Sequence, residues 1–124
     1  MISIDRTYIA IGLLWAVGGM LLGLWMGIAA DNSLKGVHVA MMVVGFVTLA
    51  IYGVLYRLWP ALGASPLARI QFWLAIGGSA GIVVGSYFFA TSGSVPLVAT
   101  ASIVFIVGAA LMAWLFIARA GKAA

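Results

Sequence analysis

The chain has 124 residues, enough for one domain, and is 66% hydrophobic and only 6% charged, against about 25% charged in an average soluble protein. Six Lys and Arg and two Asp could not cover the surface of a soluble domain of this size, so a water-exposed globule is excluded and the chain reads as a membrane protein. The net charge of +4 comes from scattered cations rather than a nucleic-acid-binding patch, and the lack of cysteine excludes disulfides and thiolate metal sites.

From the N-terminus, the first uncharged run lies between Arg6 and Asp31 and is 24 residues long. It is too long for the apolar core of a cleaved leader, about 7–15 residues, and is expected to be a retained span. The second run, between Lys35 and Arg57, has 21 residues and holds His38, the only histidine. From Ile70 to Ala118 there are 49 uncharged residues, divided by the turn-forming stretch TSGSVP at Thr91 to Pro96. A span needs about 20 apolar residues. The expected fold is therefore all-α: an integral membrane four-helix antiparallel bundle, a single transmembrane domain over 1–124, with helices at about 7–30, 36–59, 67–90 and 96–118.

Basic residues near span ends set orientation, because cytoplasmic loops carry the excess of Lys and Arg. The N-terminus, middle loop and C-terminus share Arg6, Arg57, Arg69, Arg119 and Lys122, whereas the opposite side has Lys35 alone. Both termini are expected in the cytoplasm, with His38 just inside the outer leaflet. Tyr8, Trp59 and Trp114 fall near span ends, where aromatic side chains anchor at the membrane interface.

Helix 1 contains WAVGGMLLGLWMG and helix 3 contains WLAIGGSAGIVVG. Each places glycine four, eight and twelve residues after a tryptophan: Gly19, Gly23 and Gly27 after Trp15, and Gly77, Gly81 and Gly85 after Trp73. Such rows share one helix face and let another backbone approach closely, within a protomer or between protomers. The match hints that the two hairpins are related copies; with 16 glycines in the chain, chance recurrence is the competing account.

An ionisable residue inside a span points by default to function, although an imidazole one turn below the interface can simply bond a carbonyl or a headgroup. At helical spacing His38 shares a stripe with Met41, Met42, Gly45, Leu49, Tyr52 and Tyr56. A histidine with a glycine two turns below resembles the wall of a b-type haem pocket, with nitrogen on the iron and Gly45 making room for the ring. Met41 and Met42 are too close along the helix to reach the opposite face of a haem. Met20, Met26 or His38 of a second protomer could supply the second axial ligand, the last on a two-fold axis.

The stretch VHVAMMVVGFVTLAIYGVLYRLWP (residues 37–60), followed by LARIQFWLAIGGSAG (residues 67–81), resembles helices 2 and 3 of the large subunit of haem-copper oxidases, above all the nitric oxide reductase and cbb-type branches. It resembles still more closely a group of small four-helix proteins described as oxidase subunit I-like, over most of helices 1 to 3. The resemblance implies His38 as a ligand of a low-spin haem, membership of the respiratory chain and a place in the bacterial inner membrane. The departures are specific. Where the small relatives carry His-x-His and then a polar residue, this chain has Ala40 in the second histidine position and Met42 in the polar one. One histidine cannot build a copper centre, so reduction of oxygen or nitric oxide by this chain alone is excluded.

Three functions follow. The first is a cofactor-free packing or accessory subunit of a larger membrane complex or of a homo-oligomer. The second is a haem b electron-transfer protein with His38 as axial ligand. The third is a small transporter, which the lack of glutamate and of any mid-membrane aspartate opposes.

Overall fold

The computed structural model describes residues 3–122, and among them all regular structure is helical. Four helices are long and apolar enough to cross a membrane: α1 Ile4–Ala29, α2 Lys35–Leu58, α3 Leu67–Ser92 and α4 Pro96–Arg119. They match the spans read from the sequence to within three residues at each end. The largest difference is at the start of α1, which takes in Asp5 and Arg6 because the Thr7 N–H already closes onto the Ser3 carbonyl at 3.0 Å. A carboxylate in the first turn is favourable there, facing the positive end of the helix dipole.

The helix ends follow local chemistry. α1 stops at Ala30, which adopts φ 52° in the left-handed region while its N–H bonds the Met26 carbonyl. α3 stops at Gly93, at φ 71°, where the lack of Cβ makes that conformation cheap. α4 opens with Pro96 at its first turn, where no N–H is needed. Between α2 and α3, Pro60–Leu62 forms one 3₁₀ turn.

α2 is not uniform. Ala40–Thr48 winds as a π-helix, and the Thr48 hydroxyl reaches back five residues to the Val43 carbonyl at 2.9 Å. The wider turn puts Ala40 and Gly45, five apart, both in the interior. The stripe expected from His38 to Tyr56 still faces inward, with Gly45, Leu49, Tyr52 and Tyr56 buried and His38, Met41 and Met42 half-buried. Short π stretches inside α-helices recur at functional sites.

α1 packs on α2 and α3 on α4, about equally extensively, and α2 makes a smaller contact with α3. Contacts run in opposite order along paired helices: Gly12 lies against Ala50 and Gly23 against His38, while Gly108 lies against Leu74 and Gly85 against Val98. The larger core joins Tyr8, Leu49, Tyr52, Tyr56, Leu62, Ala75, Met112 and Leu115 at the end holding the middle loop. Arg119 ties α4 to that loop, its Nε donating to the Ala61 carbonyl at 2.8 Å. Large apolar side chains stand outward along the helices, among them Leu14, Ile28 and Ile117. In water they would be a liability; they fit spans in contact with lipid.

Candidate functional site

His38 is the fourth residue of α2, just before the π segment. Its Nδ1 lies 2.8 Å from the Gly19 carbonyl oxygen of α1. A carbonyl only accepts, so Nδ1 carries the proton and donates; in the neutral ring this leaves the lone pair on Nε2. The contact depends on Gly23, because a methyl group there would sit 3.0 Å from His38 Cε1 and press on the ring. The glycine row of α1 thus makes a seat for the imidazole, with the carbonyl of Gly19 at its head.

The rest of the row is used unevenly. A Cβ at Gly19 would meet Met42 Sδ at 2.5 Å, whereas one at Gly27 meets nothing within 4 Å. On α3, added methyls at Gly81 and Gly85 would lie 2.6 Å from Ala101 Cβ and from the Val98 nitrogen, and at Gly77 there is open space. The two tryptophans that head the rows also part company. Trp15 turns into the α1–α2 interface, and Trp73 is 63% exposed. Rows that match in sequence are therefore not matched in packing. Close approaches also occur at Gly12, Gly53, Gly78 and Gly108, outside the fourfold spacing by which the rows were recognised.

Gly45 was expected to leave room for a haem ring. Its vacant side is filled by Trp15, whose Cγ would be 2.6 Å from a Cβ at that position. Met26 is buried in the last turns of α1, and Met20 is 58% exposed on its outer surface. A ring set against Gly45 would have to displace Trp15.

A second polar centre, not singled out from the sequence, lies in the larger core. Gln71, fully buried on α3, accepts at Oε1 from the Tyr8 hydroxyl at 2.6 Å and the Tyr56 hydroxyl at 3.0 Å. Its Nε2 donates to the Gly108 carbonyl at 3.3 Å. One side chain thereby links all four helices. Tyr8 stacks on Tyr56 with centroids 5.8 Å apart and meets Phe72 edge-on at 5.0 Å. Tyr8, expected at the membrane interface, is therefore a core residue: the hydroxyl near the span end has turned inward to a buried amide. Trp114 is exposed and Trp59 packs edge-on against Phe116. The available signal was Gln71 itself, the only glutamine of the chain, since an amide inside a span needs a partner. Among the described residues every buried side-chain nitrogen or oxygen has a partner, which makes this cluster a set of ties between helices.

Outside the spans, hydrogen bonds from Ser33 hold the Asp31 carboxyl below the usual carboxylate range. The Ser33 N–H reaches Asp31 Oδ1 at 2.8 Å and closes the α1–α2 turn.

Comparisons of the chain with protein-family models, curated proteins and solved structures each give no match.

Proposed function

We propose that this chain is a packing subunit: an antiparallel four-helix protein of the bacterial inner membrane, with both termini in the cytoplasm, that associates with a larger membrane complex or with copies of itself and carries no cofactor. The observation that supports this best is the seat of His38. Its imidazole bonds the Gly19 carbonyl, and the notch at Gly45 that a ring would need is filled by Trp15. Both features join α1 to α2, so the histidine acts as a helix-to-helix tie. The oxidase-like helix then serves as a packing element.

A second reading, a haem b electron-transfer protein, draws on the same hydrogen bond. A histidine that donates from Nδ1 to a backbone carbonyl has the tautomer and orientation of a metal-bound imidazole, with Nε2 as ligand. It requires either that Trp15 leave the notch at Gly45 or that the haem be shared outside the protomer. The visible spectrum of protein purified from cells well supplied with haem, oxidised and reduced, separates the readings. Colourless protein supports the packing subunit; a haem band that vanishes in His38→Ala overturns it. Orientation has its own test: a cysteine at Ser92 should label from the outer side, and labelling only from the cytoplasm would reverse the topology.

A further inference from the structure

At the end of the bundle that holds the middle loop, a furrow of about 840 Å³ opens between α1 and α3. Its walls are two facing helical stripes. Ile4, Thr7 and Ile11 line one side, and Arg69, Trp73 and Ile76 the other, each at spacings of three or four residues. The α3 stripe runs about 10 Å along the helix axis, seven residues at 1.5 Å each. The end of α2 closes the head of the furrow with Tyr56 and Arg57.

Charge and apolarity are separated along its length. Asp5, Arg57 and Arg69 gather with Ser3 and Thr7 at the head, and the depth is lined by Ile11, Phe72 and Ile76. Arg57 meets Asp5 at 3.4 Å, but its side chain is 74% exposed against 13% for Asp5. The carboxylate thus occupies one edge of a guanidinium that has five donors. Arg69 has no hydrogen-bond or ion-pair partner among the described residues and is exposed. Two guanidinium groups facing one carboxylate leave one positive charge in excess. Beside the furrow Ile70 and Trp73 stand outward, so its open side continues an apolar, lipid-facing surface.

We propose that this furrow binds one anionic phospholipid, with the phosphate held by Arg57 and Arg69 and an acyl chain lying along Ile11, Phe72 and Ile76. Guanidinium recognises phosphate oxygens in a forked, charge-assisted geometry. The lateral opening toward lipid favours an occupant from the bilayer over one from solution. Trp73 would cover the chain at the level where amphipathic rings settle.

The test is thermal unfolding of the purified protein in an uncharged detergent, titrated with phosphatidylglycerol, phosphatidylcholine or sodium phosphate. Phosphatidylglycerol should raise the melting temperature of wild type, and the other two should not. Arg69→Gln and Arg57→Gln should each weaken the apparent affinity about fivefold, the ratio that about 1 kcal/mol per basic residue at an anionic surface corresponds to. Arg6→Gln removes an exposed charge outside the furrow and should respond as wild type does. If Arg57→Gln fails to fold for want of its Asp5 partner, Arg69→Gln decides alone. An equal response to phosphatidylcholine, an equal response to free phosphate, or an equal loss in Arg6→Gln overturns the proposal. So does an unchanged lipid response in Arg69→Gln accompanied by an altered oligomeric state, which would make the furrow a protein interface.

Discussion

Tyr8 and Gln71 are 63 residues apart in the chain, and the Tyr8 hydroxyl donates to Gln71 Oε1 at 2.6 Å inside the core. The same oxygen accepts from Tyr56, and the amide nitrogen reaches the Gly108 carbonyl. In a bundle whose surfaces are apolar inside and out, this amide gives α1, α2, α3 and α4 a common point of registration.

Gln71→Leu should therefore lower stability by about 2 kcal/mol, three interhelical bonds at about 0.6 kcal/mol each, with the Tyr56 hydroxyl left unpaired and the Tyr8 hydroxyl left only the backbone carbonyl of residue 71 at 3.4 Å. Tyr8→Phe should cost about 0.6 kcal/mol. In Gln71→Leu the Tyr8→Phe change should cost less than in wild type, because only the long contact to the backbone carbonyl of residue 71 remains to be lost. Reversible unfolding in mixed micelles, run as a double-mutant cycle, measures the coupling. Additive losses would show that the hydroxyl and the amide act separately.

The glycines divide into two groups by the space beside them. Gly45→Ala and Gly85→Ala drive a methyl group to within 2.6 Å of Trp15 Cγ and the Val98 nitrogen. Each should cost about 1–3 kcal/mol by overpacking, and Gly23→Leu and Gly81→Leu at least as much. Gly27→Ala and Gly77→Ala meet nothing within 4 Å and should gain up to about 1 kcal/mol from helix propensity. Melting temperatures of the six variants in one detergent check the division; stabilities that ignore it would mean that open glycine faces are covered in the assembled protein.

His38→Ala keeps a helix former in place and removes one interhelical bond, so it should cost about 0.6 kcal/mol with topology unchanged. Gly23→Ala puts its methyl 3.0 Å from His38 Cε1 and should displace the ring from the Gly19 carbonyl. The proton on Nδ1 then loses its acceptor, and the imidazole nitrogen shifts in NMR spectra should report the change. Identical spectra in Gly23→Ala and wild type would show that the seat is not needed.

Ala30 ends α1 with φ 52°, in the region that side chains with a Cβ disfavour. Ala30→Gly relieves that strain and should raise stability by about 0.5–1 kcal/mol after the added chain entropy of glycine. Thermal unfolding checks the sign. A loss would mean that the turn before Asp31 relaxes to another conformation in the protein.

The four spans were legible in the sequence. Crossing the hydrocarbon is a local, additive condition: about 20 apolar residues without a charge. The uncharged runs ended by Arg6, Asp31, Lys35 and Arg57, together with the turn before Pro96, meet it whatever the helices do next. The glycine rows of α1 and α3 were also visible, as was His38 at the head of α2. What each residue touches was decided by the rotation of every helix about its own axis. A soluble helix announces that rotation by a polar face, but here the lipid-facing side of α1 is as apolar as its packed side, and Trp15 and Trp73 read alike although one is packed and the other exposed. The π segment alters the register within α2 as well. Only the packed structure therefore brings Gln71 to Tyr8, Tyr56 and Gly108, puts Trp15 into the notch at Gly45, and gathers Asp5, Arg57 and Arg69 from three helices at the head of one furrow. The reason is that van der Waals contact and interhelical hydrogen bonds, which act only at short range, choose the partners once the hydrophobic effect has placed every span in lipid.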